Sequence, residues 1–147
     1  DTVYLGGGTP SYLGGARLER ILHAVRESFA LAEDTEITVE CNPESTDAVL
    51  LDALRRGGAN RLSFGVQAAH DNELRRIGRI HDFAKAKNAV LLAHEHGFSN
   101  ISLDLMYGLP GQTQDMFLDS ADAPFLLRPQ ARAHDGNGTR GSRPPGR

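Results

Sequence analysis

Hydrophobic and polar positions alternate along this chain with two different periods. Residues 2–5 (TVYL), 36–41 (EITVEC), 61–67 (RLSFGVQ) and 100–108 (NISLDLMYG) are β-branched and aromatic runs that predict strands. Leu18, Ile21, Leu22, Val25 and Phe29 recur at helical spacing over residues 16–29. A second helix is predicted over residues 45–58, with a Ser45 or Thr46 cap and a stop at Gly57. A helical turn follows near residues 72–78, then a longer helix from Phe83 to His96, stopped by Gly97. Four strands alternating with helices predict an α/β fold with a parallel sheet and right-handed crossovers, either open and doubly wound or a closed or partial barrel.

Successive side chains of a strand point to opposite faces, so each strand sorts its residues in two. One face collects Ile37, Val39, Cys41, Leu62, Phe64, Val66, Ile101, Leu103 and Leu105, and calls for helices against it. The other collects Thr38, Glu40, Ser63, Gly65, Gln67, Ser102 and Asp104. A doubly wound sheet is covered on both faces and reads apolar on both. The polar second face therefore favours a barrel-like curl with a hydrated interior that holds a ligand.

After residue 120 the period is lost. Residues 113–120 (TQDMFLDS) predict the first turns of a helix whose apolar face does not continue, and residues 121–147 are rich in Arg, Pro and Gly. We expect a folded part over residues 1–120 and a disordered or aberrant tail over 121–147, of the kind a shifted reading frame produces. An Arg-rich RNA-binding arm is the rival reading, disfavoured because aromatics that stack on bases are almost absent there.

Composition narrows the function classes. The chain has 147 residues, 39% of them hydrophobic, which suits one globular core. A formal net charge of -3 makes no case for nucleic acid or an anionic membrane as partner, and no apolar run approaches the roughly 20 residues of a membrane span. Residue 1 is Asp followed at once by a strand, so we expect the chain to start inside a domain. The single cysteine excludes an internal disulfide and points to a reducing compartment, the cytosol by default.

In α/β folds ligands sit at the C-terminal ends of the strands. There the chain places YLGGGTPSYL, residues 4–13, whose glycines expose backbone N–H groups to a carboxylate, a phosphate or the ends of an amino acid, unless they form only a tight turn. The loop is not a P-loop, because no Lys-Ser or Lys-Thr pair follows at the required spacing. Nor is it a dinucleotide fingerprint, because Ser11 stands at its third glycine. Glu40, Gln67 and Asp104 aim hydrogen-bonding groups from three strands into one concavity, and Arg79 is a candidate for pairing with a ligand carboxylate. Taken singly, each could be a solvated strand end or surface residue. The six histidines show no metal-site spacing and read mostly as surface residues, and Cys41 reads as a small buried hydrophobe without chemistry.

The motifs GGGTPS, ITVECNPE, NRLSFGVQ, LRRIGRIHD and ISLDLMYGLPGQT fall in an order and spacing that resemble the radical S-adenosylmethionine (SAM) proteins related to oxygen-independent coproporphyrinogen III oxidase. GRIH and MYGLPGQT look most like the branch of heme chaperones. The resemblance covers about residues 1–120 and implies a partial (β/α) barrel, here incomplete at both ends. In the family a 4Fe-4S cluster binds S-adenosylmethionine through its amino and carboxylate groups. Carried over by motif, Gly7, Gly8 and Thr9 belong to the loop beside the methionine amino group. Glu40, Gln67, Arg79 and Asp104 match the remaining cofactor-contacting positions. The family's three cluster cysteines, in a Cys-x3-Cys-x2-Cys motif, precede the glycine loop and are absent from this chain, as are the last barrel strands. Cluster ligands are thiolates, so the chain as given is expected to be inactive.

For the parent protein the resemblance implies a heme chaperone that binds heme and passes it to acceptor proteins. The alternative is an oxidase that decarboxylates coproporphyrinogen III propionates to vinyl groups, drawing on an electron donor. A nonfunctional fragment is the third reading.

Overall fold

In the computed structural model the described residues are 1–126, with side chains described through 123. Four strands, β1 (Thr2–Leu5), β2 (Glu36–Cys41), β3 (Arg61–Gln67) and β4 (Asn100–Leu105), form one parallel sheet in the order β1-β2-β3-β4. Each pairs with its neighbour in sequence, as helical crossovers between consecutive parallel strands require. The register sets Val3 beside Ile37, Val39 beside Leu62, and Leu62 beside Ile101. Apolar residues therefore line up across one face.

Helices α1 (Gly15–Ser28), α2 (Ala48–Arg56) and α4 (Phe83–Glu95) pack on that face. Leu18 and Leu22 of α1, Leu51 and Leu54 of α2 and Ala93 of α4 are buried with Val39, Leu62 and Phe64 of the strands. Each large aliphatic side chain buried in this way contributes about 1.5–3 kcal/mol. The small Ala86, Ala89 and Ala93 let α4 lie close to β3. Short α3 (Asp71–Arg76) follows β3, and α5 (Gln114–Leu126) follows β4.

Most element boundaries match those the periodicity predicts. The exceptions have local causes. Asp47, not Ser45 or Thr46, caps α2, accepting from Leu50 N–H at 2.7 Å. Ser45 ends a 3-10 turn (Pro43–Ser45) instead, and the Ser45 and Thr46 hydroxyls donate back to the Asn42 carbonyl. Strand β4 stops at Leu105, three residues before Gly108. Helix α5 runs to Leu126, so the boundary expected at 120 falls inside a helix. The rest of the expected tail lies outside the described residues. Among the described residues no helix is long and apolar enough to cross a membrane.

Candidate functional site

With α1, α2 and α4 on one face, the other face of the sheet carries the polar residues that the alternation assigns to it. A hydrogen-bonded floor runs across three strands. Arg61 donates to Thr38 Oγ1 at 3.2 Å and to Ser102 Oγ at 3.1 Å, Ser102 donates to Ser63 Oγ at 3.1 Å, and Ser63 Oγ lies 3.1 Å from both oxygens of Asp104. Each side chain on this floor is held by its neighbour, which fixes Asp104 at the strand end.

Above the floor, at the C-terminal strand ends, lies a polar cleft of about 150 Å³ lined by Gly8, Thr9, Glu40, Asn42, Ser63, Gly65, Gln67, Arg79 and Asp104, with Cys41 at its border. Six of the seven residues singled out from the sequence line it. The seventh, Gly7, donates its backbone N–H to Glu40 Oε2 at 3.1 Å and so joins the site through Glu40. Gly7 and Gly8 have φ of 88° and 72°, a left-handed conformation that a side chain resists. A Cβ on Gly6 would lie 2.8 Å from Glu40 Oε1, so the loop must be glycine for the carboxylate to approach it.

Gln67 reaches the cleft by a distorted backbone. It is the one non-glycine with positive φ among the described residues, at 74°, and Ala68 N–H donates to the Val66 carbonyl at 3.0 Å, closing a γ-turn around it. The ladder to β4 shifts register between Gly65 and Gln67, and Met106 N–H donates to the Gln67 carbonyl at 2.8 Å. Such a bulge re-aims a side chain at a strand end. Strain of this kind persists where the surrounding structure fixes it.

Arg79 lies beyond the end of α3 and is half-buried rather than on a surface helix. Among the described residues its guanidinium makes no hydrogen bond or ion pair, which leaves its fork open to a ligand carboxylate. Two residues on, His81 is 3% exposed, against the expectation that the histidines lie mostly at the surface. Burial, and next Arg79, hold its pKa below the ordinary imidazole value, while the Val66 carbonyl, Glu44 and Asp82 act the other way.

Cys41 is 4% exposed in the core, and burial pushes its thiol up to about 12. A protonated, buried thiol is no metal ligand. Among the described residues no group of three or more His, Cys, Asp or Glu is placed to hold a metal ion.

Sequence reasoning passed over Tyr4 and Asn42. Tyr4 donates its hydroxyl to Glu40 Oε1 at 2.7 Å, and that bond raises the phenol's pKa. The signal was its register beside Thr38 on the polar face. Asn42 lines the cleft just past β2, where strand alternation no longer applies.

A parallel β/α sheet with helices α1, α2 and α4 on one face, and with polar side chains from its strand ends meeting a glycine loop on the other, has the architecture of a partial (β/α) barrel. The Radical SAM superfamily model matches residues 1–123. The chain belongs to the radical SAM superfamily.

It is 43% identical over 122 residues to the heme chaperone HemW of Mycobacterium tuberculosis (strain CDC 1551 / Oshkosh), covering 83% of this chain and 31% of that protein. It is 39% identical over 115 residues to the oxygen-independent coproporphyrinogen III oxidase of Escherichia coli (strain K12), covering 78% of this chain and 25% of that one. The solved structure of the Escherichia coli coproporphyrinogen III oxidase HemN, described as a radical SAM enzyme, superposes with a TM-score of 0.78 at 37% identity, over 87% of this chain and 30% of that one. The chain thus spans less than a third of the length of these relatives. The resemblance read from the motifs and the partial barrel fold are both shown by these matches.

Membership implies S-adenosylmethionine and a 4Fe-4S cluster. The cleft fits one end of the first: an open guanidinium, two carboxylates and a glycine backbone at its wall suit an amino acid. The residues present do not fit the second, because the chain has one cysteine and it is buried.

Proposed function

We propose that the cleft takes the amino-acid end of S-adenosylmethionine, with Glu40 receiving the ammonium group and Arg79 the carboxylate. Gly7, Gly8 and Thr9 would bring the backbone alongside, and Gln67 and Asp104 would hydrogen-bond the rest of the bound part. The observation that carries this reading is the meeting of side chains from three strand ends and the glycine loop in one small polar cleft.

Charge supports it. Glu40 and Asp104 against Arg79 leave one negative charge, which complements a zwitterionic amino acid that also carries a sulfonium. Size supports it as well: about 150 Å³ lies below the roughly 300–1,000 Å³ of pockets that enclose whole drug-sized ligands. When bound, S-adenosylmethionine supplies a sulfonium whose reductive cleavage needs an electron from an iron–sulfur cluster. The chain's own residues bind and orient the cofactor and do not ligate a cluster.

For the whole protein we infer a heme chaperone in a reducing, cytosolic compartment, which binds heme and passes it to acceptor proteins. The 43% identity to a relative of that name supports the reading, together with GRIH and MYGLPGQT. The 39% identity to an oxygen-independent coproporphyrinogen III oxidase keeps a second reading, porphyrinogen decarboxylation.

Calorimetric titration of S-adenosylmethionine into the wild type and Glu40→Ala tests the site: affinity falls at least about tenfold in the variant. Equal affinity overturns the assignment. Stoichiometric heme binding by the full-length protein, without conversion of coproporphyrinogen, is the result expected of a chaperone. Turnover establishes the oxidase instead.

A further inference from the structure

Tyr4 lies on the polar face of β1, paired with Thr38 on β2, and its hydroxyl donates to Glu40 Oε1 at 2.7 Å. Gly7 N–H donates to Oε2 of the same carboxylate at 3.1 Å. An ionised carboxylate offers about four lone-pair sites, so these two donors fix its plane and leave about two sites for a ligand. Gly6 lies between the donors in sequence and makes the arrangement possible. A Cβ there would stand 2.5 Å from Tyr4 Cε1 and 2.8 Å from Glu40 Oε1. Tyr4 itself is absent from the residues that line the cleft, so its influence runs through Glu40.

A glutamate side chain has three rotors, and a ligand that must order them binds more weakly than one that finds them ordered. We propose that Tyr4 is a positioning residue, which holds the Glu40 carboxylate in the orientation that receives the ligand's ammonium group. The inference rests on the reading of the cleft given above. It also makes Tyr4 selective: its hydroxyl matters to ligands that carry the amino group and is indifferent to those that do not. The raised pKa of the phenol accords with this, because the carboxylate holds its proton in place and keeps it a donor.

The test compares two ligands on the wild type and on Tyr4→Phe, which keeps the ring and removes the hydroxyl. S-adenosylmethionine carries the amino-acid end, and 5′-methylthioadenosine is the same nucleoside thioether without it. By calorimetry the variant loses about three- to tenfold in affinity for the first and none for the second. Wild-type binding of S-adenosylmethionine with an unchanged variant, or with equal losses for both ligands, overturns the positioning role and leaves the cleft assignment standing. No wild-type preference for S-adenosylmethionine removes the cleft assignment, and this inference with it. Should Tyr4→Phe fail to fold, Glu40→Gln gives a second measurement: the Tyr4 phenol, followed by phenolate absorbance, then titrates lower than in the wild type. An unmoved titration shows that the pair is not formed in solution, which overturns the role.

Discussion

The side-chain amide nitrogen of Gln67 occupies the space beside Gly65, 2.9 Å from where a Cβ on that glycine would stand. The two residues share the polar face of β3, and the smaller gives the larger its path into the cleft. Gly65 has no positive φ, so its backbone tolerates alanine. We expect Gly65→Ala to change the unfolding free energy by less than about 1 kcal/mol, because the end of a flexible side chain can move aside. The displaced amide should weaken S-adenosylmethionine binding about three- to tenfold. Calorimetry beside urea unfolding separates the two effects, and a variant that binds like the wild type shows that Gln67 does not contact the ligand.

Gln67 holds a backbone conformation that glycine adopts without strain. Gln67→Gly should raise the unfolding free energy by about 0.5–1 kcal/mol while weakening the cleft's affinity. A loss of stability in urea unfolding would show that its side-chain packing outweighs the strain.

His81 gives the fold a pH dependence of predictable sign. Its folded pKa lies below the value of about 6.5 it takes in the unfolded chain, so the unfolded state binds more protons between the two values. The neutral ring's contribution is fully present above the unfolded value and is lost as pH falls through the folded one. Urea midpoints measured from about pH 8 to about pH 5 should fall on acidification in the wild type and less steeply in His81→Phe. Parallel profiles would mean that His81 is not the group responsible.

Glu73 on α3 is 0% exposed, and among the described residues neither of its carboxylate oxygens has a hydrogen-bond partner. Glu73→Met replaces it with an unbranched apolar side chain and should stabilise the fold by about 1–3 kcal/mol. Destabilisation in thermal or urea unfolding would show that the carboxylate has a partner in solution.

The sequence disclosed the fold where one rule decides the outcome. Strand alternation separated Val39 from Glu40 and Phe64 from Gly65, and the sheet keeps that division across all four strands. Glu40, Gln67 and Asp104 were legible for the same reason. Arg79 was less so, because it follows α3 on a loop whose path no period describes. The cap of α2 was missed because Ser45, Thr46 and Asp47 are all competent caps, and the choice among them depends on the Asn42 turn before them. Tyr4 was missed because an aromatic in a strand reads as core until its register against Thr38 is known. The γ-turn at Gln67 leaves no mark in composition at all.

Cys41, one residue from Glu40, turns the opposite way into the core, and it is the chain's only thiol. Burial keeps it protonated at neutral pH, so an alkylating reagent meets no thiolate until the helices lift from the sheet. That makes the molecule its own opening clock. The rate of labelling at a single atom reports how often the core is breached, and a ligand seated in the cleft slows it by stabilising the closed state.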